Sequence, residues 1–221
     1  MKRLECNALL SLQHTAAEKL FLRHRFPWEV LGEVKDFILS LGPTLDSALY
    51  DRVGDDIWIA KTAVLSPSAH ISGPCIIGGK TQIRHCAFIR GSALIGENCV
   101  IGNSTELKNV IIFDNVQVPH YNYVGDSVLG YRSHLGAGAI TSNVKSDKTP
   151  VSVNLDGEKI ETGLKKFGAV LGDCVEVGCS SVLNPGTVIG RNSNIYPLSS
   201  VRGYVKENSI YKRRGEIADK H

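Results

Sequence analysis

The sequence predicts an all-β chain wound as a parallel β-helix, with a helical extension before it and a hairpin loop inserted in it. Three observations carry that expectation. An aliphatic residue opens every sixth position over much of residues 59–205, as in IAKTAV, LSPSAH, ISGPCI, IGGKTQ, IRHCAF, IRGSAL, IGENCV and IGNSTE. A small residue usually stands fifth in the unit, and Gly often follows the anchor, where a tight corner is expected to demand a backbone that other residues adopt at a cost. The count breaks between Thr141 and Gly168 and then resumes at Leu171. A six-residue unit is too short for a helical repeat. It suits a short strand plus a turn, three of which close one triangular coil whose anchors stack into a column.

The elements follow in order. Thr15-Ala16-Ala17-Glu18 has the pattern of a capping box, and Pro27-Trp28 opens a second helical segment. Leu31, Val34, Ile38 and Leu41 fall at helical spacing, with Gly42-Pro43 as the stop. Such an apolar stripe needs a surface to cover, and a cap over the first coil is the reading favoured over a docking helix for another chain. Residues 44–56 read as a linker, so that 1–56 form an N-terminal extension and 57–205 the β-helix domain. Residues 144–166 are the insertion, in which VSVNLDGEKIET alternates about Asp156-Gly157 and predicts a hairpin thrown out from one corner. The tail, 206–221, is polar and charged and reads as a short helix or a disordered end. Its Lys212-Arg213-Arg214 cluster is a solvated end or, less favoured, a phosphate site.

Composition narrows the function. A net charge of +3 with no long cationic run gives no case for nucleic acid. No apolar stretch approaches the length of a membrane span, and the opening residues lack a signal-peptide core. The six cysteines form no CxxC pair, and Cys75 and Cys99 occupy the small fifth slot, as reduced thiols acting as small hydrophobes would. A cytoplasmic protein is expected.

Chemistry concentrates in residues 102–143, where two steps shorten to five residues, Leu107 to Ile112 and Val124 to Leu129. Glu106, Lys108, His120, Asn122, Tyr123, Asp126, His134 and Asn143 crowd there, and a solenoid core needs none of them. The short steps are expected to re-aim side chains outward at a groove. His120 is the candidate base, because an imidazole titrates near neutral pH and can accept a proton from an amine. A lone corner histidine would be unremarked, but Tyr123, Lys108 and Arg90 accompany this one. Arg90 and Lys108 stand on successive coils and suit a phosphate or carboxylate.

The motifs TELK, HYNYVGD, LGAGAITSN and LKKFGAVLG resemble the acetyltransferase half of the bifunctional glucosamine-1-phosphate N-acetyltransferase/N-acetylglucosamine-1-phosphate uridyltransferase family, over about residues 57–205. The resemblance implies a left-handed β-helix, a homotrimer with sites between subunits, acetyl-CoA as donor and an amino-sugar phosphate as acceptor. It implies His120 as general base, Arg90, Lys108 and Lys166 as phosphate- and sugar-contacting cations, and Glu106, Tyr123 and Asn143 beside the acceptor. Ala137, Cys179 and Pro197 match backbone that lines the acetyl-CoA groove. His134 stands where the family has an acceptor-touching asparagine, Val144 replaces a tyrosine, and the hairpin lengthens the loop before Lys166. Nothing in the chain resembles the family's Gly-rich nucleotide loop, so a separate nucleotidyltransferase is an expected partner. Other readings are an acyltransferase on a nucleotide-sugar and a non-catalytic trimer that binds a sugar phosphate. A metal-dependent hydratase is a further class: His70, His85, His120 and His134 are available, but their spacing lacks the HxxxxH pair, and no metal is expected.

Overall fold

Strands of two to seven residues pair in parallel with the strand one coil away. A computed structural model of the chain describes residues 1–213 and 216–220. The coils have three faces, the parallel solenoid that the hexads predict. Cys75–Ile77, Ala93–Ile95, Ala169–Leu171 and Thr187–Ile189 lie on what we term the covered face. Gln82–Ile83, Gln117–His120, His134–Leu135 and Glu176–Val177 lie on the second face. Phe88–Ile89, Ile140–Thr141, Val182–Leu183 and Ser200–Val201 lie on the third. The anchors stack as expected: Ile77, Ile95, Ile112, Leu129, Leu171 and Ile189 pair in register up one column.

Glycine after the anchor serves a purpose different from the one expected. Gly78, Gly96 and Gly102 do not have positive φ; a Cβ on Gly78 would lie 2.5 Å from the Gly96 carbonyl carbon, and one on Gly102 1.5 Å from the Pro119 oxygen. Close approach of successive coils excludes a side chain. The left-handed corner falls instead on the fourth residue of the hexad, with φ of 57° at Lys80 and Cys86 and 53° at Asn98 and Ser104. Each such L-residue costs about 1–2 kcal/mol locally, which the stacking of coils must offset.

The helical part of the N-terminal extension does not cap the first coil. It runs as a strap along the covered face, from the C-terminal coils, where the Leu9 carbonyl accepts from Asp173 N–H (3.0 Å), to Gly42, which packs against the Trp58 ring of the first. The reason lies in the outward positions of that face: Ile76, Leu94, Ile111, Val128, Val170 and Val188 are all buried, whereas Val64 on another face is 65% exposed. Each such aliphatic contributes about 1.5–3 kcal/mol when covered, and the strap covers them. Phe21 meets Phe113 edge-on (5.5 Å between centroids), Trp28 meets Phe167 (5.8 Å), and helix Val34–Leu41 packs on Ala93–Ile95 and Glu106–Ile112.

Several local expectations change. The helix near Glu18 is the single turn Glu18–Phe21, and the Thr15 hydroxyl accepts from Ala17 N–H rather than closing a box with Glu18. Glu29 instead accepts from Phe26 N–H at the start of the 3-10 turn Pro27–Gly32. The stretch read as a linker contains the strand Tyr50–Gly54, antiparallel to Ile57–Ala60.

The hairpin forms where the Asp-Gly turn places it, Ser152–Leu155 against Glu158–Glu161, with φ of 53° and 93° at Asp156 and Gly157. It folds back on the C-terminal coils rather than projecting, with Val151, Val153 and Leu155 buried. The tail holds two strands, Ser209–Arg213 and Glu216–Asp219, and Arg214 of its basic cluster lies outside the described residues. Among the described residues no helix is long and apolar enough to cross a membrane.

Candidate active site

The two shortened steps lie inside Glu106–Ile112 and Tyr123–Leu129, strands that run from the third face through the corner onto the covered face. Asn109 and Asp126 occupy that corner with positive φ, 53° and 48°. Their side chains do not point outward as expected; they converge. Asp126, only 3% exposed, accepts from Lys108 Nζ at 2.9 and 3.1 Å, from Asn109 Nδ2 at 2.9 Å and from Asn143 Nδ2 at 2.5 Å. Asn143 Nδ2 also reaches the Tyr123 hydroxyl (3.3 Å). Gly125 makes the cluster possible, since a Cβ there would lie 2.6 Å from that hydroxyl. Burial pushes the Tyr123 phenol above its ordinary pKa, and the Asp126 charge adds to this, so it is a neutral hydroxyl at pH 7.

One coil back, Arg90 Nη1 donates to Glu106 Oε1 at 2.7 Å, and Glu106 is the register partner of Tyr123. Lys108 and Arg90 each pair with a carboxylate, which offsets the repulsion between these cations. Lys166 is exposed and precedes Phe167, whose N–H donates to the Asn143 carbonyl (2.9 Å).

His120 stands at the opposite edge of the third face. Its backbone is braced by Asn122, whose Oδ1 accepts from His120 N–H (3.0 Å) while its amide donates to the Gly136 and Ala139 carbonyls. Gly138 N–H donates to the His120 carbonyl, Ser180 N–H to that of Ala137, and Leu198 N–H to that of Cys179. His120, Ala137, Cys179 and Pro197 thus descend one corner in successive coils. His134 does not join either group. It lies on the second face, where Nδ1 contacts Glu176 Oε2 at 2.7 Å.

Asp126, Asn109 and Asn122 are the polar residues to which sequence reasoning assigned no role. Their signal was available: Lys108, Asp126 and Asn143 recur at about one coil length, and Gly125 precedes the carboxylate. His70, His85, His120 and His134 do not gather, and no cluster of His, Cys, Asp or Glu suited to a metal stands among the described residues.

Stacked hexads with polar residues gathered along one face and its two corners define a hexapeptide-repeat β-helix protein. The chain belongs to the family described as the GMPPB C-terminal domain, which matches residues 71–210. It is similar to the bifunctional protein GlmU of Methanococcus maripaludis, with 34% identity over 190 residues, 85% of this chain and 46% of that protein. A bifunctional sugar-1-phosphate nucleotidylyltransferase/acetyltransferase of Sulfurisphaera tokodaii is 35% identical over 106 residues, 48% of this chain and 26% of that one. The chain spans about half or less of the length of these curated relatives. Among solved structures, the acetyltransferase domain of PglB from Neisseria gonorrhoeae, in complex with acetyl coenzyme A, matches 74% of this chain and 57% of that one at 14% identity and a TM-score of 0.41.

Proposed function

We propose that this chain transfers an acetyl group from acetyl-CoA to the amine of an amino-sugar phosphate, with glucosamine 1-phosphate as the first acceptor to test. The observation that carries the reading is the division of the third face. His120 heads the corner column that includes Ala137, Cys179 and Pro197, while Arg90, Glu106, Tyr123, Lys108 and Asn143 occupy the face and its other corner. A thioester laid along the column would meet an acceptor held by the second group. Arg90, Lys108 and Lys166 would take the phosphate, Glu106, Tyr123 and Asn143 the sugar, and His134 would approach from the second face.

In the step itself, His120 accepts a proton from the neutral acceptor amine as its nitrogen attacks the thioester carbonyl carbon. The carbon–sulfur bond then breaks, and the departing thiolate takes up the proton. Holding both partners in place supplies much of the rate. We further propose a homotrimer, because the cation corner and the His120 corner lie at opposite edges of one face and a neighbouring coil can close each. Free thiols at all six cysteines fit a reducing, cytoplasmic setting. A nucleotidyltransferase would act before or after this step, as the bifunctional names of the relatives suggest.

One observation favours a second reading, a non-catalytic trimer that binds sugar phosphate: Lys108 and Arg90 are already paired with Asp126 and Glu106. Thiol release from acetyl-CoA, measured against a panel of amino-sugar phosphates and nucleotide-sugars, separates the two. Release that requires a phosphorylated amino sugar supports the transferase. No release with any acceptor sinks it.

A further inference from the structure

The base of the proposed reaction is held through its backbone alone. The exposed His120 imidazole makes no hydrogen bond or ion pair among the described residues, so the ring goes where its Cα is placed. Tyr121, the next residue, has a φ of 52°, a left-handed conformation that an L-residue keeps only under constraint. The side chain that closes this turn is Asn122, 3% exposed, whose Oδ1 accepts from His120 N–H at 3.0 Å.

The column in which Asn122 stands shows what a corner of this solenoid requires. The residues that precede the third-face strands, one per coil, are Ala87, Thr105, Asn122, Ala139, Ser181 and Ser199. All are buried, and Asn122 alone among them carries an amide. A hydroxyl here makes one bond to the following coil: Thr105 Oγ1 donates to the Val118 carbonyl and Ser181 Oγ to that of Tyr196, both at 3.1 Å. Asn122 makes the corresponding bond, from Nδ2 to the Gly136 carbonyl at 2.8 Å, and two more. One comes from His120 N–H; the other runs from Nδ2 to the Ala139 carbonyl at 2.9 Å. Closing a coil does not require these extra bonds, since the alanines of the column have no side-chain polar group at all.

The extra bonds join the base to the donor corner. Gly136 and Ala139 flank Ala137-Gly138, in the column along which the thioester would lie, and Gly138 N–H donates to the His120 carbonyl at 3.0 Å. On the acceptor side, Glu106 N–H donates to the Asn122 carbonyl at 2.8 Å. A buried amide with both polar atoms satisfied is rigid. It fixes the two stretches between which the acetyl group and the proton would pass.

We propose that Asn122 is a positioning residue for acetyl transfer, setting the distance between the His120 ring and the acetyl donor at the Ala137 corner without touching substrate. The proposal rests on the acetyl-transfer reading. Its effect falls on the bound complex, and so on kcat rather than on either KM.

The test is Asn122→Thr, which repeats at this corner the residue that Thr105 supplies one coil earlier. The melting temperature should stay near that of the wild type; if it falls, Asn122→Ser, the residue of the Ser181 coil, is used instead. With the best acceptor, kcat should drop about ten- to a hundredfold, the scale of a misplaced catalytic group, while KM for acetyl-CoA and acceptor changes less than about twofold. In a His120→Ala background the substitution should lower kcat no further, because no base is left to place; a merely structural role would lower it in both backgrounds. Hydrogen exchange reads the same hold without turnover. The His120 amide should exchange about tenfold or more faster in Asn122→Thr, with the amides of neighbouring strands unchanged. Equal exchange in the two proteins overturns the proposal, as does an unchanged kcat or a loss that persists without His120. A wild type inactive with every acceptor removes the transferase reading and with it the reaction being positioned, while faster exchange in the variant would still establish that Asn122 holds His120.

Discussion

The Asn109 side-chain amide donates to the Asp126 carboxylate at 2.9 Å and to the Leu31 carbonyl at 3.2 Å. A single residue at a left-handed corner thus ties the N-terminal strap to the most buried charge of the candidate site. The strap therefore covers an apolar face and also holds Asn109, one of the three side chains that donate to Asp126, the others being Lys108 and Asn143.

Removing that charge should be costly. Asp126→Ala leaves Lys108, Asn109 and Asn143 without their shared acceptor, and we expect a loss of about 3 kcal/mol in urea denaturation. In a double-mutant cycle with Lys108→Ala the coupling should be about 1–3 kcal/mol. A coupling indistinguishable from zero would mean that the pair does not hold the corner.

His120 is exposed, and its side chain makes no hydrogen bond or ion pair among the described residues. On the proposed mechanism His120→Ala should keep the melting temperature and the oligomeric state, and lower acetyl transfer by about a hundredfold or more. Undiminished transfer would remove His120 from the proton path.

The two kinds of corner residue should respond in opposite ways. Gly102→Ala puts a Cβ into the Pro119 carbonyl of the next coil and should cost about 3 kcal/mol. Lys80→Gly relieves an L-residue at φ 57° while loosening the unfolded chain, and should be neutral within about 0.5 kcal/mol. Equal effects from the two, read from denaturation midpoints, would refute the assignment of close approach to one position and left-handed backbone to the other.

Thiol labelling reports burial directly. Burial pushes the Cys75 and Cys99 thiols up to about 12, so they stay protonated at any working pH, while Cys86 and Cys179 are exposed. Maleimide at pH 7 should modify Cys86 and Cys179 in the folded protein and reach Cys75 and Cys99 only in denaturant. Acetyl-CoA should slow labelling of Cys179 alone. Mass spectrometry finding Cys75 labelled in the native protein would contradict the packed core.

The solenoid was legible because its physics is local and periodic. Each anchor must stack on the one a coil below, so Ile77, Ile95 and Ile112 mark the fold wherever they recur. The hairpin was equally legible, since Asp156-Gly157 meets a conformational demand that few other pairs satisfy. The destination of the strap was not. A helical stripe such as Val34 and Ile38 states that an apolar surface must be covered, and it does not say which one. The complementary signal lay in Ile76, Leu94, Ile111 and Val128, apolar at outward positions once per coil, and it becomes visible only when the coils are stacked. The cluster at Asp126 was decided in the same way. Lys108 and Asn143 are a coil away from it on either side, and the sequence by itself shows that they are polar and spaced alike. Only the winding of the chain brings them to one carboxylate, where burial makes their pairing necessary.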